Sequence, residues 1–256
     1  MFRTGLDAGR TGHELVELVD ATPVWDPDQA ASSSPFEPEN LVTLLQGPIQ
    51  PRGWLLGTQL CRQYVTVLAA SGGSGKTALS IAWALSLASG RPLVGLHVHK
   101  RCRVLVLTYE DGRAEYQRRL KAACLQHQID PSEIGDWFLL RSLAAAEGTN
   151  TFAEVDDRGT MRETEAARQI SEIIERYKVD VVMVDPFIKC SGAPENDNVA
   201  VDFVARILTR IAENHNVAVL VSHHFRKAVG APGDIDSARG ADPSSMPHAL
   251  PRRFRR

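Results

Sequence analysis

A chain of 256 residues that is 43% hydrophobic and 23% charged fits one sizeable α/β domain with its ends, or at most two small domains. Its formal net charge of −2 excludes bulk electrostatics as a reason to bind nucleic acid or an acidic membrane, and leaves only a local basic loop for such contacts. Cys61, Cys102, Cys124 and Cys190 are widely spaced with no C-x-x-C pair, which argues against a zinc knuckle or a disulfide framework and for reduced cytosolic thiols. The longest apolar stretch, residues 81–87, is too short to span a bilayer, so the expectation is a soluble cytoplasmic protein.

In chain order, residues 21–40 (ATPVWDPDQAASSSPFEPEN) are rich in Pro, Ser and Asp. Residues 1–40 are therefore expected to form a flexible arm, with the compact domain starting near Leu41. From there short β-branched runs alternate with helical periods, which predicts a mainly parallel sheet flanked by helices. Residues 64–69 (YVTVLA) predict a strand running into a glycine loop. Residues 76–89 predict a helix apolar on nearly every side, hence buried, and stopped by Gly90 and Pro92. A strand follows over 104–109, then a helix with Tyr116, Leu120 and Cys124 at i, i+4 and i+8. Residues 166–177 form an amphipathic helix with Ile170, Ile173, Ile174 and Tyr177 on one face. A strand over 179–184, a helix over 199–214 and a strand over 217–221 complete the series.

The glycine loop carries the chemistry. ASGGSGKT, residues 70–77, meets the phosphate-binding pattern G-x-x-x-x-G-K-[ST] except that Ala70 replaces the first glycine. Between a strand and a helix such a loop surrounds an anion with backbone N–H groups and a helix N-terminus. Ser71, Gly72, Gly73, Ser74 and Gly75 would wrap the β-phosphate of ATP, Lys76 would meet the β- and γ-phosphates, and the Thr77 hydroxyl would meet Mg²⁺. The competing reading is a Gly/Ser turn before a helix that happens to begin with Lys-Thr.

A Mg²⁺ at Thr77 calls for an acidic residue at the end of a neighbouring buried strand, and VVMVDP supplies Asp185, acting through water. Position 186 is proline, so a catalytic glutamate directly after the aspartate is ruled out. Glu110 is the expected base, placed at the end of the strand neighbouring the glycine-loop strand, with Asp111 as the cap of the next helix. At the tip of the last strand, Ser222-His223-His224 offers a polar group to sense the γ-phosphate. Adjacent strand residues point to opposite faces, so one zinc ion cannot easily take both histidines. Which histidine is the sensor stays open.

With these residues in place, the chain resembles the RepA family of RecA-like hexameric replicative helicases of plasmids and phages, commonly grouped with AAA-family ATPases. The resemblance runs from about Leu41 to Gly240 and rests on ASGGSGKT, YEDGRAEYQRRL, VVMVDPF with ENDN, and SHHFRKA continuing to DIDSARGA. The family loop also resembles A-x-G-G, so Ala70 is no lesion. The resemblance implies a RecA-like P-loop fold and ATP hydrolysis with Mg²⁺, in a homo-hexamer that acts on single-stranded DNA. It matches Lys76, Thr77, Glu110, Asp185 and the His223/His224 pair to the family's site, and Arg239 to an arginine inserted into the neighbouring subunit's site.

After SARGA the family continues into further strands, whereas residues 241–256 read ADPSSMPHALPRRFRR. Three prolines there forbid a central strand. Among the codons permitted for Ala241 onward is a set that, read two bases later, spells GSIVDAARTAS, close to the family continuation. The expectation is a frame-shifted tail lacking the C-terminal strands, with a native basic tail as the competitor. A nucleotide-dependent regulator or loader that does not hydrolyse ATP is the alternative function. Phosphotransfer to a small metabolite is disfavoured, since no Arg-rich lid segment is visible.

Overall fold

The structure is a computed structural model in which residues 38–144, 150–191 and 197–224 are described. Arg239, the tail over 241–256 and most of the expected arm lie outside them. The chain divides into two compact units, residues 1–51 and 52–256. In the first, Asn40 caps a one-turn helix, Leu41–Leu44 (α1), by accepting from the Thr43 N–H at 3.0 Å.

The second unit opens with a hairpin, Trp54–Leu56 (β1) and Leu60–Cys61 (β2). Strand Val65–Ala70 (β3) then feeds the glycine loop and helix Lys76–Ser89 (α2). Strand Val104–Thr108 (β4), helix Arg113–His127 (α3), a short helix Pro131–Ile134 (α4) and strand Phe138–Ser142 (β5) follow. A second hairpin, Ala153–Val155 (β6) and Met161–Glu163 (β7), leads to helix Glu165–Tyr177 (α5) and strand Val181–Asp185 (β8). Helix Asn198–Asn214 (α6) and strand Ala218–His224 (β9) complete the series.

β3, β9, β8, β4 and β5 lie side by side in that order, and every pair is parallel. β4 and β8 are buried at every position, as a sheet covered on both faces requires. Alternate residues divide between two cores. Val104, Val106, Val181, Met183, Ala218 and Leu220 pack with α2 and Tyr116 of α3. Leu105, Leu107, Val182, Val184, Val219 and Val221 pack with α5 and α6. Each fully buried aliphatic side chain contributes about 1.5–3 kcal/mol.

The helix over 76–89 has the expected bounds and ends at Gly90, which takes a left-handed conformation. The buried Ser86 and the half-buried Ser89 are accommodated inside the helix, Ser86 Oγ donating to the Ala82 carbonyl at 2.8 Å and Ser89 Oγ to that of Leu85 at 2.6 Å. Ile170 and Ile174 of α5 are buried as expected, but Tyr177 is exposed, with the Arg176 guanidinium 5.5 Å from its ring centre. It is the last helical residue, where the apolar face runs off the sheet.

Strand order corrects the sequence reading. Neither β8, which carries Asp185, nor β4, which precedes Glu110, neighbours the glycine-loop strand. β9 lies between β3 and β8, and β4 lies beyond β8. The crossover through α2 passes over two strand positions that are filled later in the chain, and sequence spacing reveals a crossover but not how many positions it skips. β9 also extends to His224, three residues past the expected end.

Candidate functional site

The parallel strands end together at one edge of the sheet, where ligands of open α/β sheets bind. A cavity of about 300 Å³ opens there. One wall is the loop from Gly73 through Lys76 and Thr77 to Ala78, and the other is formed by Glu110, Asp111, Arg119 and Asp185. Gly73 and Gly75 take φ of +74° and +88°, and no atom stands within 4 Å of a Cβ built on either. The backbone conformation, not crowding, requires glycine. Gly75 is the N-cap of α2, and the helix starts with neither a capping side chain nor an acidic residue in its first turn. That is the arrangement of an anion site.

Lys76 is buried, and its ammonium donates to the carbonyls of Ala70 at 2.7 Å and Ser71 at 2.8 Å. Desolvation lowers its pKa, with Asp185 and Glu110 pulling it back up. The Ser74 hydroxyl also donates to the Ser71 carbonyl, at 2.7 Å. Ser71 therefore shapes the loop through its backbone, while Ser71 and Gly72 do not themselves line the cavity.

Thr77 Oγ1 donates to Asp185 Oδ2 at 2.8 Å. The other carboxylate oxygen, Oδ1, accepts from the buried Ser222 hydroxyl. These groups share the sheet face covered by α2.

Glu110 stands two residues beyond the end of β4, in a turn fixed from both sides. The Tyr109 N–H donates to the Asp185 carbonyl at 2.8 Å, and the Asp111 carbonyl accepts from Thr108 Oγ1 at 3.3 Å and Ser142 Oγ at 3.2 Å. The turn thereby holds Glu110 on the cavity wall, opposite the loop.

Asp111 does not cap α3. The N-cap is Gly112, without a side-chain bond, and Asp111 instead faces the cavity and pairs with Arg119 Nε at 3.3 Å. Burial raises its pKa, Arg119 opposes the rise, and Asp185, Glu110 and Glu115 add to it. Arg119, also 3.2 Å from Glu115, is a cavity residue that sequence reasoning missed. It falls two turns into α3 on the same face as Tyr116, a signal visible only once that face is known to meet the loop.

His223 is on the opposite sheet face from Ser222, its ring centre 6.2 Å from that of Phe187. It is not brought to the Thr77–Asp185 side. For His224 the backbone pairs in register with Ala70 at the loop's mouth.

A parallel sheet flanked by helices, with a glycine loop opening one helix and an acidic strand tip facing it, defines a RecA-like P-loop fold built to bind nucleotide. The comparison with known families agrees: a family model described as an AAA domain matches residues 31–230, and the chain belongs to that family of ATPase-type domains. No curated protein matches the chain.

Proposed function

We propose that the chain is a Mg²⁺-dependent ATPase related to the RepA-type replicative helicases of mobile elements. In this reading residues 1–40 are an arm, 41–240 the ATPase core and 241–256 a basic tail, and the protein works in the cytoplasm. The observation that carries it is the Thr77–Asp185 hydrogen bond facing Glu110 across the cavity that Lys76 lines.

The residues fit both groups. The loop has open backbone at Gly73 and Gly75 and an uncapped helix start for phosphates. Thr77 and Asp185 are hard oxygen donors, and Mg²⁺ keeps most of its waters and needs only one or two protein ligands. When bound, Mg²⁺ supplies positive charge to the β- and γ-phosphate oxygens. Residues 73–77 wrap the phosphates, with Ser71 shaping the loop through its carbonyl, and Lys76 neutralises them. Thr77 binds the metal directly and Asp185 through water, while Glu110 orients and deprotonates the attacking water. With His223 turned away, His224 is the member of the pair to test as γ-phosphate sensor. Arg239, by the family resemblance, serves the neighbouring subunit's site in a homo-hexamer, and single-stranded DNA is the polymer acted on.

The test is ATP turnover by the purified chain, with and without single-stranded DNA, with Lys76→Ala as the blank. Lys76-dependent turnover that DNA accelerates supports the whole reading. Turnover that ignores DNA removes the helicase relation and keeps the ATPase.

A further inference from the structure

Ser222 is 1% exposed and its hydroxyl is spent on Asp185. Asp185 is 9% exposed, and its two oxygens are held by hydroxyls from different elements, Thr77 at the start of α2 and Ser222 on β9. A hydroxyl that gives its proton to Asp185 still has lone pairs to offer a cation. The Thr77 bond thus leaves the Thr77 oxygen available to a metal, but only while Asp185 Oδ2 faces it. A turn of the carboxylate out of this plane would break both hydrogen bonds at once. Ser222 opposes that turn, because it would leave a buried donor unpaired.

We propose that Ser222 is a positioning residue for the Mg²⁺ site: it locks the Asp185 carboxylate so that Thr77 and Asp185 present one fixed pair of oxygens to the cation. The proposal rests on the reading of the glycine loop as a nucleotide site. It also gives β9 a direct mechanical link to the metal, since β9 is the strand that separates β3 from β8.

The experiment measures binding of a fluorescent, non-hydrolysable ATP analogue as Mg²⁺ is titrated, and again in excess chelator. Loss of an outer partner of a metal ligand typically costs about 10–100-fold in metal affinity. Ser222→Ala is expected to raise the half-saturating Mg²⁺ concentration by about tenfold or more and to leave metal-free nucleotide affinity unchanged. Ser222→Thr, which keeps the hydroxyl, is expected to restore the parental Mg²⁺ requirement. Should Ser222→Ala fail to melt cooperatively, Ser222→Cys, a near-isostere with a weak donor, is expected to raise the requirement by an intermediate amount. An unchanged Mg²⁺ requirement in the variant that folds overturns the proposal. So does an equal loss of binding with and without metal, which would make Ser222 merely structural. Analogue binding that survives Lys76→Ala overturns the nucleotide-site reading itself, a failure distinct from either.

Discussion

Thr77 Oγ1 and Asp185 Oδ2 meet at 2.8 Å across 108 residues of chain, although β9 separates the strands that lead to them. The contact exists because the crossovers through α2, α3 and α5 each return the chain to the same sheet edge and because residue parity puts Asp185 on the α2 face. It joins the phosphate loop to the strand tip in one hydrogen bond. The hydrogen bond holds both side chains in one arrangement, and such preorganisation lowers what binding must spend on ordering a site.

Lys76 separates binding from folding. Its pKa is depressed from 10.5, chiefly by burial, so its charge is a cost to the fold. That cost is in full force below the folded-state pKa and fades as pH approaches 10.5. Lys76→Met is expected to melt no lower than the parent at pH 7 without nucleotide. The rise in melting temperature that ATP gives the parent should vanish, since saturation at 100 times Kd is worth about 2.7 kcal/mol. Differential scanning fluorimetry with and without ATP reads both effects, and a nucleotide-induced rise that persists in Lys76→Met counts against the loop.

In the proposed ATPase reading Glu110, which lines the cavity opposite the loop, acts on water and does not hold the nucleotide. Glu110→Gln keeps the shape and hydrogen bonding of the side chain and removes the base. Turnover should fall by roughly 10²–10⁴-fold while nucleotide affinity stays within a factor of about three of the parent. Single-turnover kinetics beside equilibrium binding distinguish this from the regulator alternative, in which the biological effect would survive the substitution.

The helix over 76–89 was readable to the residue because a long apolar run between a glycine loop and Gly90-Arg91-Pro92 leaves little freedom in its bounds. That the loop, Lys76, Thr77, Glu110 and Asp185 gather at one cavity was readable for a similar reason: their types and order match a strand, glycine loop and helix followed by acidic strand ends. Strand order was not readable, and with it went the neighbours assigned to Asp185 and Glu110. Strands of two or three residues, as in β1, β2, β6 and β7, carry too few alternations to register as a period. Arg119 was missed because nothing local distinguishes it from Arg118, which points to Glu115 and is mostly exposed.

Asp111 and Arg119 predict a pH signature. The Asp111 pKa is raised above 3.8, first by burial, so the folded state holds this proton more tightly than the unfolded chain. Stability therefore falls as pH rises from 3.8 through the folded-state value, and the cost is complete above it. Asp111→Asn should melt higher than the parent at pH 7, with the gap closing as pH is lowered toward 3.8. Arg119→Ala should do the reverse, because it removes the cation that opposes the rise. If both variants track the parent across pH 4–7 by thermal melting, the pair is not coupled in the way its 3.3 Å contact indicates.

Two glycines, Gly75 in the loop and Gly112 next to the cavity residue Asp111, should respond in opposite directions. At Gly75 the backbone lies at φ +88° with open space around a Cβ, so Gly75→Ala tests conformation without collision. An L-residue in that region costs about 1–2 kcal/mol, and relaxation of the loop should weaken nucleotide binding as well. Gly112, the N-cap of α3, has φ −64° and ψ 157°, and a Cβ there meets nothing within 4 Å. Gly112→Ser keeps an allowed backbone and adds a hydroxyl for the free N–H groups of the first turn, worth a few tenths of a kcal/mol up to about 1. Urea denaturation of the two variants should bracket the parent, with Gly75→Ala below and Gly112→Ser above. A stabilised Gly75→Ala would mean that the loop does not hold the left-handed turn, and the case for a preformed phosphate cradle would fall with it.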